Sequence, residues 1–439
     1  MKLNKLGKTG KSAIKNFALK PISMVLGLAY TPILLAYLGN EQYGVWVTML
    51  SIINWINNCD VGIGNGLRNI LSKSIAEKDY DKAKRAISTA FICLTFIAAG
   101  LLIISVVLTF SVDWKILLNT TIDARVPILI SVIFICVNFV LAIVNTVLHA
   151  LQKSELVSLQ GILSQVLVIV GLLFLKSQGQ GNLLYMSLLF GFSTTLVHCC
   201  TCFVIFRNET LLSPKLKLFD RKLFNGIFSL GIKFFIAQIA AVVLFTTDNL
   251  LVSHFFGAEN VTPFSLADKV FSVGYTCFSA ITVPFWSKTT RDIALHDLDS
   301  IKKNHFTLKA IACLFAVGCV IVALIFKPVV GIWLNKSSVE FTNEIIWIMC
   351  VYYAVYAFST VTSTFINGMN GVNGVMILGI IQGVVNIPLS IILARNCGMG
   401  VIGIRMGTLI VLAGGEIFQL IYYSRLLKSL EKENKIKEI

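Results

Sequence analysis

Five stretches of this chain, 21–40, 86–112, 126–152, 156–175 and 177–206, contain no Asp, Glu, Lys or Arg. Each has at least the roughly 20 residues that a helix needs to cross a bilayer core about 30 Å thick. With no water in that core to satisfy backbone N–H and C=O groups, only helices and closed barrels can span it. Barrel strands of about 10 alternating residues do not produce such runs. The whole chain agrees: 56% of its residues are hydrophobic and 13% charged, against about 25% charged in an ordinary soluble domain. The expected class is an all-α integral membrane protein.

Twelve spans are predicted, at about 18–38, 44–62, 87–110, 127–149, 157–175, 183–206, 231–255, 262–284, 306–326, 344–366, 375–394 and 401–423. Spans ten and eleven sit in one charge-free run, 345–394, divided by NGMNGVNG at 367–374, a turn signal. If the N-terminus is cytoplasmic, the inside segments hold 28 Lys and Arg. The outside loops hold six, Lys115, Arg125, Lys176, Lys327, Lys336 and Arg395. That bias predicts a multi-pass membrane protein with both termini inside. It also assigns the net charge of +15 to topology and anionic inner-leaflet lipid. The basic charge is dispersed over loops, so no nucleic-acid partner is expected. The basic N-terminus lacks a small-residue cleavage site and is expected to be retained.

The eleven cysteines lie mostly inside apolar runs, as in HCCTC at 198–202, and read as small core residues rather than a disulfide framework. His198 with Cys199, Cys200 and Cys202 lacks a second pair at zinc-finger spacing, so no metal is expected. GKTGKS at 7–12 has the wrong spacing for a phosphate loop, and GIGNG at 62–66 lacks the context of a dinucleotide loop. No cofactor is expected, and with short outer loops no catalytic constellation appears: the chain reads as a non-enzyme.

The chain resembles itself at one constant shift, 218 residues. IKNF at 14–17 falls on IKFF at 232–235, and GNE at 39–41 on GAE at 257–259. Ala76, Asp79, Asp81, Lys84 and Arg85 fall on Ala294, Asp297, Asp299, Lys302 and Lys303, and Gly161 on Gly379. Two parallel six-helix repeats follow, related by a pseudo-two-fold along the membrane normal, with a central cavity between them. The expected division is an N-terminal bundle at 1–206, a cytoplasmic linker at 207–224 and a C-terminal bundle at 225–439.

Charge separates the halves. The first six spans carry none away from their ends, whereas the second six contain Lys233, Asp248, Asp268, Lys269, Arg405 and Glu416. An ionisable residue inside a membrane helix is expensive and marks a functional site by default. Spans seven and eight form a hairpin turning near GAEN, which puts Asp248 and Lys269 at equal depth, roughly 15 Å below the turn. They are expected to pair, with Asp268, about 100° from Lys269, facing elsewhere. Arg405 and Glu416 are three turns apart on one face of span twelve. Lys233 and Arg405 also lie near span ends, where snorkelling to the interface is an equal reading. His149 and His198 read as satisfied interior histidines.

Three stretches resemble one family: LLAYLGNEQYGVWVTMLSIINWINNCDVGIGNGLRN at 34–69, SKSIAEKDYDKAKRAI at 72–87 and TDNLLVSHFFGAENVTPFSLADKV at 247–270. They are similar to the bacterial polysaccharide transporters, Wzx-type O-antigen flippases of the multidrug/oligosaccharidyl-lipid/polysaccharide exporter superfamily. The resemblance covers essentially the whole chain. It implies translocation of an undecaprenyl-diphosphate-linked oligosaccharide across the cytoplasmic membrane by alternating access. It also implies membrane lipids, a glycan polymerase and a chain-length regulator as partners. Lys269, Lys233 and Arg405 become candidate diphosphate or sugar contacts, and Asp248, Asp268 and Glu416 candidates for ion coupling or ion pairing. Tyr43, Gly44, Asp60, Gly62 and Arg68 match the family pattern around span two as a structural motif. Basic residues in the first-half spans are missing here, a departure from a cavity lined by positive charge from both halves. A cation-coupled multidrug exporter of the same superfamily and a non-transporting scaffold for glycan assembly are the competing readings.

Overall fold

A computed structural model describes residues 8–58, 62–179, 181–335 and 339–437. Asp60 and Lys336 lie outside the described residues, as does the side chain of Lys233. The described chain is helical and without strands. Its helices are α1 (Lys8–Asn57), α2 (Ile63–Ala76), α3 (Tyr80–Ser111), α4 (Trp114–Leu118), α5 (Arg125–Leu141), α6 (Ile143–Ala150), α7 (Ser154–Gln178) and α8 (Leu183–Asn208). There follow α9 (Arg221–Phe256), α10 (Ala258–Ala294), α11 (Leu298–Leu324), α12 (Phe326–Trp333), α13 (Asn343–Gly368), α14 (Val372–Ile391) and α15 (Val401–Lys437).

Among the described residues, eleven segments are long and apolar enough to cross a membrane. The first, Ala18–Asn57, is 40 residues long, about 60 Å of helix and so two bilayer crossings. Inside it Gly39 leaves helical geometry, with φ 74° and ψ 175°, a region essentially reserved for glycine. Spans one and two are therefore two arms of one helix with a one-residue joint, and the chain has about twelve spans. Span two ends at Asn57, earlier than 62, and α2 occupies the start of the segment expected as a cytoplasmic loop.

The 218-residue shift is written into the backbone. α3 and α11 begin at 80 and 298, α5 and α13 at 125 and 343, α7 and α14 at 154 and 372, and α8 and α15 at 183 and 401. Gly39 corresponds to Gly257, which has φ 94° and ψ 151° and separates α9 from α10. The positive φ angles of Lys78 and Gln152 recur at His296 and Asn370. Asp79 and Asp297 do the same job one residue later: each carboxylate accepts a backbone N–H at the start of its helix, from Lys82 and Ser300. Such N-caps supply partners for otherwise orphaned helix N–H groups.

Chain contacts divide the molecule into two compact units, Met1–Ile239 and Ala240–Ile439. The start of α9 packs with the first: Gly66 of α2 lies so close to Ile227 that a Cβ there would stand 2.3 Å from the Ile227 carbonyl oxygen. In the first unit α1 packs on α7, α5 on α8 and α3 on α5, around Trp46, Met49, Leu67, Leu71 and Ile87. In the second, α13 touches α10, α11 and α15, and α14 lies on α15. Its core joins Phe278, Leu308, Val361, Phe365 and Tyr423. Outward faces carry Phe96, Phe110, Phe174, Phe203, Leu314 and Ile417, as a helix bathed in lipid tails requires. Cys199, Cys200, Cys277, Cys313 and Cys397 are also exposed, so half of the described cysteines are not the core residues expected of them.

Candidate functional site

Arg405 sits in the second turn of α15, in the run GIRMG at 403–407. The two glycines face the end of α14 and the π-helical turn after it. A Cβ on Gly403 would stand 2.5 Å from the Ala394 Cα, and one on Gly407 2.6 Å from the Ser390 Cα. Small residues four apart let membrane helices touch backbone to backbone. Ser390 completes the joint by donating to the Ile404 carbonyl at 3.0 Å. At about 100° per residue, Arg405 points the opposite way from Gly403.

There it meets both arms of the hairpin made by α9 and α10. Its Nη1 lies 3.1 Å from Asp248 Oδ2 and its Nη2 2.7 Å from Asp268 Oδ1. The side chains of Arg405 and Asp248 are 5% and 4% exposed, and that of Asp268 is 34% exposed. Thr408, one turn along α15, donates to Asp248 at 3.1 Å, and the Tyr353 hydroxyl donates to Asp268 at 3.0 Å. The guanidinium lies over the rings of Phe264 and Tyr352, 4.8 and 4.4 Å from their centroids, a placement that favours a cation. Asn386, wholly buried, donates to the Leu244 carbonyl one turn before Asp248. One cation and two carboxylates leave the cluster with a formal charge of −1.

These contacts revise two expectations. Asp248 pairs with Arg405 and not with Lys269. Equal depth in a hairpin fixes height but not direction around the helix, and the α10 residue facing the pair is Asp268, the one expected to look elsewhere. Arg405 does not snorkel; it is among the most enclosed charges of the unit. Lys269 is half-buried on α10.

A second polar group lies three turns further along α15. Glu416 Oε1 accepts from Thr362 at 2.7 Å, while its Oε2 is buried with no partner among the described residues. Gln419 donates to Ser359 and Gln382 to the Val411 carbonyl. Of the span-two motif, Tyr43 and Gly44 are buried in α1, Gly62 takes the left-handed conformation before α2, and Arg68 is exposed. His198 is satisfied, its Nδ1 within 3.0 Å of Asn138 Oδ1 and of the Thr194 carbonyl. Sequence reasoning missed Thr408, Tyr352 and Tyr353. The aromatic run VYYAVYAF at 351–358 was the available signal, because rings inside a span can shelter a cation.

About twelve apolar helical spans make this a multi-pass membrane protein, and its relatives are membrane transporters. The chain belongs to the polysaccharide biosynthesis protein family, whose model matches residues 9–290. A MatE model matches residues 234–392. The chain is 21% identical over 371 residues to "Putative O-antigen transporter" of Salmonella typhimurium, covering 82% of this chain and 83% of that one. It is 23% identical over 264 residues to the Salmonella typhi protein of the same name, covering 58% of each. Among solved structures, an inward-facing multidrug resistance MATE family transporter of the MOP superfamily gives a TM-score of 0.81 at 16% identity, covering 96% of this chain and 99% of that one. A MOP superfamily transporter from Pyrococcus furiosus gives 0.66 at 14%, covering 97% and 96%. At these identities the likeness is one of fold.

Proposed function

We propose that this protein is a flippase that carries an undecaprenyl-diphosphate-linked oligosaccharide, an O-antigen or similar repeat unit, across the cytoplasmic membrane. The observation that carries the reading is the Asp248–Arg405–Asp268 cluster, set in a chain of the polysaccharide biosynthesis family whose relatives are named for O-antigen transport. Buried ions inside membrane helices mark transport pathways, and a cluster with one carboxylate in excess is suited to taking up a proton or sodium ion. Arg405 is already held by two carboxylates, so a diphosphate would compete with them for it. Lys269 is the better candidate for the anionic headgroup. Asp248, Asp268 and Glu416 are the coupling candidates, and the two bundles would alternate in access about a central cavity with both termini cytoplasmic. The second reading, a cation-coupled multidrug exporter, draws support from the MatE match over 234–392 and from the acidic excess of the cluster.

The test is surface polysaccharide and drug sensitivity in a strain lacking the gene, complemented with wild type or Lys269→Ala. Lost surface glycan with accumulated lipid-linked units, restored by wild type alone, is the expected result. Normal glycan with raised drug sensitivity would replace the flippase by the drug exporter.

A further inference from the structure

The first unit carries almost no internal charge, yet it is not sealed. A cavity of about 400 Å³ opens between α1, α6, α7 and α8, lined by Tyr30, Asn145, Gln160, Ser164, Gln165 and His198 among others. A second of about 400 Å³ adjoins it, sharing Asn145, Thr194 and His198 and adding Asn54, Asn57 and Asn138. Each falls within the roughly 300–1,000 Å³ of small-molecule sites. Among the described residues, no Asp, Glu, Lys or Arg lines either one. The second cavity is lined where α5 gives way to α6 at Ala142, whereas α13, the matching helix of the second unit, runs unbroken.

Gln160 is the decisive residue. It is 5% exposed, and neither its Oε1 nor its Nε2 has a hydrogen-bond partner among the described residues. Asn145 Oδ1 is buried and equally without one. Nearly all buried polar side-chain atoms are paired, so amides in a cavity wall whose buried atoms have no partner among the described residues are donors and acceptors left over for something else. The repeat adds an independent argument. Stepping back 218 residues from Asp248, Gln382, Thr408 and Glu416 gives Tyr30, Ser164, Phe190 and His198, all four of which line this cavity. The charged groups of the second unit and the neutral cavity of the first are one location, duplicated and then chemically divided.

We propose that the first-unit cavity is a subsite for an uncharged, hydroxyl-rich group, the sugar portion of the transported molecule. Amides and hydroxyls offer paired donors and acceptors to ring hydroxyls, and the absence of fixed charge excludes any preference for the diphosphate. The assignment of that group to a lipid-linked oligosaccharide rests on the flippase reading above.

The test uses the purified full chain in lipid nanodiscs and, as probe, the oligosaccharide freed by mild acid from the cell's lipid-linked glycans. Binding is measured by calorimetry for wild type, Gln160→Leu, Gln160→Asn and Ser164→Ala, with thermal stability recorded for each. Gln160→Leu removes two neutral hydrogen bonds and is expected to bind roughly tenfold or more weakly, with Gln160→Asn intermediate. Its melting temperature should hold or rise, since an orphan amide is replaced by a side chain of similar size. Should Gln160→Leu fail to fold, Ser164→Ala carries the test with a smaller loss in the same direction. Unchanged binding in Gln160→Leu, or no binding by wild type, overturns the subsite. If deletion of the gene leaves surface glycan intact, the flippase reading falls, and the binding series still decides the cavity by itself.

Discussion

Replacing Arg405 by Met keeps an unbranched apolar stem and removes the guanidinium with its charge. Two ion pairs, at 3.1 and 2.7 Å, and the contacts with Phe264 and Tyr352 are lost together. What dominates is the residue left behind: Asp248, 4% exposed, keeps among the described residues only the Thr408 hydroxyl as a donor to its carboxylate. Removing one partner of a buried pair costs about 3–5 kcal/mol. For a cooperative unit of about 200 residues, at about 2–4 °C per kcal/mol, the melting temperature should fall by about 6–20 °C. Heating in detergent followed by size-exclusion chromatography reads that shift. The triple variant Asp248→Asn, Asp268→Asn, Arg405→Met removes the stranded charges and should recover at least half of the loss. A single variant within about 2 °C of wild type, or a triple variant no better than the single, would refute the electrostatic account. A stable triple variant that still restores surface glycan would show that the cluster serves stability alone.

Gly39→Ala meets no atom within 4 Å, so its penalty is backbone strain only, about 1–3 kcal/mol; Gly257→Ala should lose a similar amount, both visible as lowered melting temperatures. Gly407→Leu drives a side chain into Ser390 and should abolish correctly folded protein, whereas Gly414→Ala, also free of neighbours within 4 Å, should gain about 0.5–1 kcal/mol from helix propensity. Glu416→Gln keeps an oxygen for Thr362 and should leave the melting temperature within a few degrees of wild type, yet fail to restore surface glycan. Full restoration would remove Glu416 from the coupling candidates.

Helices, their number and the repeat were legible because each rests on local chemistry: charge-free length, a glycine where φ must be positive, an aspartate where a helix must start. The single offset that joined GNE to GAE also pairs backbone positions that the structure shows to share unusual geometry. The ion cluster was half legible. Its members stood out as charges in apolar runs, but their partnership depends on the angle at which α15 meets the hairpin. Gly403 and Gly407 seat α15 against Ala394 and Ser390 of the neighbouring segment, but the hairpin that Arg405 meets lies well over a hundred residues earlier in the chain, at Asp248 and Asp268. The cavity of the first unit was not legible, because its residues are uncharged. Gln160, Asn145 and Tyr30 look ordinary in a span until the structure shows that the first two bury amide atoms with no partner among the described residues and that all three share one space.

The joint at Gly257 has no slack. Two dihedral angles connect α9 to α10, and Asp248 and Asp268 lie on either side of it, both gripping the same guanidinium. A helix in such a linkage cannot pivot alone: turning either arm drags the other or tears a carboxylate from Arg405. The arrangement is therefore a clasp rather than a spring: one guanidinium on α15 holds both arms of the hairpin, so the three helices share a single fastening.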